Sequence, residues 1–402
     1  MRFFRRSFMS SGRNEIRSDF LMTLLRPVYL DHNATTPCDE VVVQAMIPFF
    51  SGSFGNAASR SHVFGLEADD AVELAREQTA RLLGTEPSRI TFTSGATEAL
   101  NLSIKGLVRP GIPAHFISFA TEHRAVLDTL EAVKEIGADV TILPVTKDGW
   151  PEVDRLEEGL CKPTAAVIMM YANNETGMIN PVAEVGRICG KHGVSFICDA
   201  TPAVGKIPVD METDGIDLLA CSGHKVYGPK GVGVLARSRK SSLQLRPLLH
   251  GGGHERGMRS GTLNVPAIVG IGKALDIARG LMPEESSRIS RLRDILLEGI
   301  LDMPGTRLNG RQEHLLPHVA NIAFQGDGGP ELLKRISPYV AASSGSACRS
   351  LVTKPSHVLQ AMGLETRAAL GSIRFSLGRL TTDDDVRFAL EHIGRIWCGR
   401  GA

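Results

Sequence analysis

The sequence predicts an α/β protein in which a mostly parallel sheet flanked by helices forms a large domain, joined to a smaller α+β domain. Three observations predict this. From about residue 70, helical and strand periodicities alternate along the chain. The strand-length runs, such as Ala165-Ala166-Val167-Ile168-Met169-Met170, are apolar throughout, so both faces of the sheet are covered. After Gly270 the texture changes to a long charged helix followed by short strands.

The elements follow in order. Ala68–Leu83 is amphipathic and ends at Gly84; Arg89–Thr93 is a short strand; Ala96–Leu107 is a helix. His115–Ala120 is a strand, and Arg124–Ile136 a helix closed by Gly137. Strands then fall at Asp139–Pro144, Ala165–Tyr171 and Val194–Asp199, with a helix at Val182–His192 before the last. Leu218–Ser222 and Gly233–Ala236 complete the series. Beyond it lie a helix over roughly Pro283–Met303 and strands near Val319–Phe324. We expect a large domain over residues 37–275, with residues 23–36 and 276–402 forming the smaller one.

Composition narrows the function classes. A hydrophobic content of 43% and a charged content of 22% are ordinary for a globular enzyme. Lys+Arg 45 against Asp+Glu 44 gives a net charge of +1, so charge offers no case for nucleic acid or a membrane surface. No apolar run is long enough to span a bilayer. The seven cysteines (38, 161, 189, 198, 221, 348 and 398) include no CxxC pair, which fits a reducing, cytoplasmic setting and argues against disulfides or a structural metal. Residues 1–22, with Arg2, Arg5, Arg6, Arg13 and Arg17, read as a disordered tail or as an upstream misread start. The same residues also fit an Arg-rich mitochondrial presequence.

In sheets of this kind ligands lie beyond the carboxyl ends of the strands, and the unusual polar residues fall there. Ser94-Gly95-Ala96-Thr97 joins a strand to a helix, where backbone N–H groups and the helix dipole make an anion cradle. Taken alone, it is also an ordinary helix cap. Lys225, in Ser222-Gly223-His224-Lys225, follows a buried strand end, where a lysine is costly unless neutralised or used covalently. A Schiff base with a pyridoxal cofactor does both and frees Ser222 and His224 for its phosphate; a snorkelling surface lysine is the plainer reading. Asp199 ends a strand where a carboxylate can pair with a pyridinium nitrogen, or cap a helix. His123 lies just past another strand end, placed to stack on a ring and shuttle protons, or simply to fill a polar site. Asn174 can hydrogen-bond the ring hydroxyl, orient substrate, or form a turn. Arg374 sits in an apolar run, where a substrate α-carboxylate or a structural ion pair would satisfy it. Finally, Cys348 ends the run Ser343-Ser344-Gly345-Ser346-Ala347-Cys348, whose tiny side chains predict a mobile loop able to carry a thiol between two places.

Together these residues resemble a family. Tyr29-Leu30-Asp31-His32-Asn33-Ala34-Thr35-Thr36-Pro37, Thr93–Glu98, Thr121-Glu122-His123, Ser222–Lys225, His250–Thr262 and Ser343–Cys348 are similar to motifs of the cysteine desulfurases of the NifS/IscS type, over about Val28 to Ile393. The resemblance implies a class V, fold-type I enzyme that depends on pyridoxal 5'-phosphate. It implies that Lys225 bonds the cofactor and that Ala96, Thr97, Ser222 and His224 hold its phosphate, with Thr262 contributed across a homodimer. Asp199 would pair with the ring nitrogen, His123 would stack on the ring, and Asn174 would assist. Arg374, with Asn33 and Asn174, would bind the L-cysteine substrate. Cys348 would take its sulfur, leaving L-alanine and a persulfide for a sulfur-acceptor protein. That acceptor would be an iron–sulfur scaffold, a tRNA thiolation enzyme, or part of a dedicated pathway such as DNA phosphorothioation.

Two features depart from the family. Relatives carry Gln where this chain has Pro202, which offers neither a side-chain donor nor an N–H. The chain also stops soon after Trp397-Cys398, short of the extension with which IscS-like relatives dock their scaffold. Two other readings stay open on the sequence: a selenocysteine lyase or class V aminotransferase on the same scaffold, and a non-catalytic sulfur-transfer partner.

Overall fold

The computed structural model describes residues 26–160, 163–326, 329–344 and 354–399. Seven strands form the main sheet: β2 (Ile90–Thr93), β3 (His115–Phe119), β4 (Asp139–Leu143), β5 (Ala166–Met170), β6 (Ser195–Asp199), β7 (Leu218–Ser222) and β8 (Gly233–Arg237). Their order is β2-β8-β7-β6-β5-β3-β4, with β8 antiparallel to both neighbours and the other pairs parallel. The sheet is therefore mostly parallel and flanked by helices, as the unbroken apolar runs require. Val167 and Met169 of β5 face one core, while Ala166 and Ile168 face the other. Such two-sided burial excludes polar alternation.

The order of strands reverses between β3 and β5, which opens a crevice at their carboxyl ends. His123 follows β3 and Asn174 follows β5, so the two flank this crevice.

A further core forms around β9 (Thr306–Leu308), β10 (Val319–Phe324) and β12 (Ser372–Ser376), in the antiparallel order β12-β10-β9. The short β1 (Val28–Tyr29) pairs in parallel with β11 (Val340–Ala341), and Leu30 is buried in this same core. One helix, Val265–Leu301, connects the two regions. Ile268, Ile271 and Leu275 of its first half pack under the main sheet; Leu292, Leu296 and Ile300 of its second half enter the further core.

This helix corrects the expected start at Pro283. The proline lies inside it. Apolar faces at both ends hold the helix together across the hydrogen bond that proline cannot donate. The first amphipathic helix likewise begins earlier than expected, at Val63, because the His62 ring nitrogen accepts from the Gly65 N–H and caps it.

Candidate active site

The carboxyl ends of β2, β3, β5, β6 and β7 open into one cavity of about 1670 Å³. Ala96, Thr97, His123, Asn174, Asp199, Ser222, His224 and Lys225 all line it, as do Asn33 and Arg374. Residues distant in sequence thus meet in one place.

The floor is set by backbone geometry. Ser222 ends β7 and Asp199 ends β6; both are buried. The turn before the helix Ala96–Lys105 has Gly95 at its N-cap, with no side chain to occupy the terminal N–H groups. Ser94 N–H is held by Glu98 Oε2 at 2.7 Å, and Arg259 in turn pairs with Glu98 at 2.9 Å. Gly233 on β8 lies directly beneath this turn. A Cβ there would stand 2.5 Å from the Gly95 backbone, so only glycine lets the strand approach.

Lys225 leaves β7 through a single 3-10 turn. Its Nζ donates to the carbonyls of Asn33 and Ala34, at 2.5 and 2.8 Å. Burial first, and then Arg374, lower its ammonium to about 8, against the raising effect of Asp31 and Asp199. Burial, Lys225 and Lys230 likewise lower His224 to about 4, so its ring is neutral at physiological pH. His224 Nδ1 lies 3.1 Å from Thr35 Oγ1. Asp199 Oδ1 accepts from Thr201 N–H at 3.0 Å, and the adjoining Pro202 lines the cavity without offering a donor. His123 Nδ1 accepts from Ala125 N–H at 3.1 Å, so in the neutral ring the proton sits on Nε2.

Arg374 is 3% exposed on β12. Its Nη2 pairs with Asp31 at 2.8 Å and its Nη1 donates to the Asn174 carbonyl at 2.8 Å. Among the described residues, its Nε is buried without a partner. The ion pair that the sequence offered as one reading of this side chain is present, with Asp31. Asn33 Nδ2 reaches the same Asn174 carbonyl at 2.6 Å.

Two expectations fall elsewhere. Thr262 is exposed and is not among the residues lining the cavity of the single chain. Cys348 lies outside the described residues, as do residues 1–22. On either side of the Cys348 segment, however, Ser344 and Lys354 both line the cavity, and Ser343 exchanges backbone hydrogen bonds with Arg374 at 2.7 and 3.2 Å.

The other cysteines near the site are poor nucleophiles. Burial pushes the Cys221 thiol up to about 12 and the Cys198 thiol well above its ordinary value.

Sequence reasoning did not single out Asp31 or Glu122. Asp31 precedes Asn33 by two residues, and the need of a buried Arg374 for an anion is the signal that would have found it. Glu122 is fully buried; its Oε1 accepts from Met170 N–H at 2.8 Å, and burial raises its carboxyl well above the ordinary range. No local pattern marks it, because its partner lies on another strand.

Comparison with known proteins identifies the family. The profile of the aminotransferase class-V family matches residues 28–388. A protein named cysteine desulfurase IscS from Anaeromyxobacter dehalogenans is 46% identical over 373 residues, covering 92% of each chain. A solved structure described as a NifS-like protein superposes with a TM-score of 0.86 at 37% identity, over 93% of this chain and 100% of that one. Another, described as SspA in complex with cysteine, gives a TM-score of 0.78 at 36% identity, over 87% and 98% of the two chains. The chain belongs to the class-V aminotransferase family and, within it, to the pyridoxal-phosphate-dependent cysteine desulfurases of the NifS/IscS type.

Proposed function

We propose that this chain binds pyridoxal 5'-phosphate in the strand-end cavity, converts L-cysteine to L-alanine, and holds the sulfur as a persulfide on Cys348 for an acceptor protein. One observation carries the reading. A single cavity joins Lys225, Asp199 and Arg374 with Ser344 and Lys354, which flank the segment holding Cys348.

The residues present fit the cofactor. Gly233 keeps the Ser94–Thr97 turn free of a Cβ that would displace it, as an anion cradle requires. Ser222 and the neutral His224 add polar side chains beside that turn, and Asp199 supplies a buried carboxylate for a ring nitrogen. Lys225, with its ammonium lowered to about 8, presents a substantial neutral fraction for covalent attachment. Ala96, Thr97, Ser222 and His224 would hold the phosphate, His123 would face the ring, and Asn174 would assist.

Bound pyridoxal phosphate supplies an electron sink for the amino acid's carbon skeleton. The chain's own residues do the rest. Arg374 receives the substrate α-carboxylate through its unused N–H groups, with Asn33 and Asn174 shaping that end. Lys225 Nζ and His123 Nε2 give and take protons at the substrate carbons. The Cys348 thiolate attacks the substrate sulfur: an S–S bond forms, the C–S bond breaks, and its electron pair stays with carbon. A proton then completes alanine.

Several features support the assembly around this chemistry. Phe50, Phe54, Val63 and Phe64 are 67%, 64%, 59% and 47% exposed, and the Phe54 and Phe64 rings stack at 5.5 Å. Such exposed apolar side chains suit a homodimer, in which Thr262 of a second copy would reach the phosphate. Among the described residues no helix is long and apolar enough to cross a membrane. The unpaired cysteines fit a cytoplasmic enzyme serving an iron–sulfur scaffold or a thiolation enzyme.

Reconstitution tests the reading. Protein incubated with pyridoxal 5'-phosphate is expected to gain a visible absorbance band and to release alanine from L-cysteine. Lys225→Ala should lose the covalent band and at least about a thousandfold of the activity. A band that survives unchanged in Lys225→Ala would remove the basis of the proposal.

A further inference from the structure

His318 immediately precedes β10, lies outside the cavity lining, and is 2% exposed. Its Nε2 stands 3.3 Å from Asn33 Oδ1. The orientation of the Asn33 amide is fixed independently, because Nδ2 donates to the Asn174 carbonyl at 2.6 Å. Oδ1 therefore faces the histidine. An amide oxygen only accepts, so Nε2 must carry the proton.

The other ring nitrogen, Nδ1, is buried with no hydrogen-bond partner among the described residues. Burial, reinforced by Lys206, His32, Arg374 and Arg293, holds the ring far below the usual histidine range, which keeps it neutral. A neutral imidazole with one unpaired nitrogen is a costly way to fill a core position that an apolar side chain could occupy. Among the described residues, the bond to Asn33 is the one side-chain hydrogen bond this ring makes.

Asn33 joins three parts of the site. Its backbone carbonyl accepts from Lys225 Nζ at 2.5 Å. Its side chain meets the Asn174 carbonyl, to which Arg374 Nη1 also donates at 2.8 Å. Its own N–H donates to Ser376 Oγ at 2.8 Å, on the strand that carries Arg374. A tilt of the Asn33 amide is thus transmitted to the guanidinium.

We infer that His318 is a positioning residue for the substrate end of the site: by donating from Nε2 to Asn33 Oδ1, it fixes the Asn33 amide and, through the Asn174 carbonyl, the orientation in which Arg374 receives an α-carboxylate. The inference rests on the reading of Arg374 given above.

His318→Phe keeps a ring and removes the donor, whereas His318→Gln keeps an N–H near the position of Nε2. In the holoenzyme, His318→Phe is expected to raise KM for L-cysteine about 3- to 10-fold, the effect of one neutral hydrogen bond. It should leave kcat and the cofactor absorbance within about twofold. His318→Gln should return KM toward the wild-type value. A lower Tm with unchanged KM, or equal increases in KM for both variants, would overturn the inference. If His318→Phe does not fold, Asn33→Leu removes the acceptor from the other side, and an unchanged KM there overturns it equally. Arg374→Lys, measured alongside, separates the two levels. An unchanged KM in Arg374→Lys overturns the carboxylate reading, while a raised KM there with an unchanged KM in His318→Phe overturns only the role of His318.

Discussion

The floor and the wall of the cavity are built by different means. The floor, with Ser222, Asp199 and the Ser94–Thr97 turn, projects from strand ends locked in one seven-stranded sheet. Met170, Asp199 and Ala220 lie side by side in register across β5, β6 and β7. Their places are set by the hydrogen-bond ladder and by apolar packing on two faces. In the wall, Arg374 projects from the antiparallel β12, and its side chain is tied to Asp31 and to the Asn174 carbonyl, which Asn33 also reaches, by bonds between segments far apart in sequence. On the proposed function, cofactor binding belongs to the strand ends and substrate recognition to the seam between the cores.

This difference predicts separable phenotypes. The largest is expected at the wall. Arg374→Ala removes the charged donors and should raise KM for L-cysteine about 10- to 100-fold in a steady-state assay. The visible cofactor band should persist. Loss of that band together with substrate binding would mean that wall and floor are one unit.

A floor substitution should behave in the opposite way. Gly233→Ala places a Cβ 2.5 Å from the Gly95 backbone. It should cost about 1–3 kcal/mol in denaturant unfolding and weaken pyridoxal phosphate binding by titration. KM of the fully loaded enzyme should change little.

A third effect concerns the charge of Lys225. Its folded-state value of about 8 lies below the ordinary 10.5, so in the cofactor-free protein the charged form is disfavoured by folding. The stability this group contributes is fully present above the unfolded value and is lost as pH falls through about 8. Lys225→Met should therefore melt higher than wild type at pH 7, with the gap closing as pH rises from about 8 toward 10.5. A gap that is constant with pH would show that the lysine carries no desolvation penalty.

The same contrast explains what could be read from the sequence. The floor was legible because apolar strand runs end in polar residues: Ser94, His123, Asp199 and Lys225 each have a plainer reading alone, but together, beyond successive strand ends, they point to the one cavity they line. The wall was legible only in part. Arg374 stood out as a charge in an apolar run, but Asp31 and His318 act through partners more than 250 residues away, at Arg374 and Asn33. No periodicity records such pairings. The start of the long helix was misplaced for a related reason: Pro283 is a local breaker, and packing of the flanking turns into both cores overrides it.

Sulfur transfer to Cys348 is the central claim, and alanine release from L-cysteine by Cys348→Ala, set beside peptide mass analysis of the wild type, tests it most directly. The account predicts a one-sulfur gain on the wild-type peptide containing Cys348, reversed by a reducing thiol, and near-complete loss of alanine release in the variant, with the cofactor band intact. Alanine release at the wild-type rate from Cys348→Ala would contradict it.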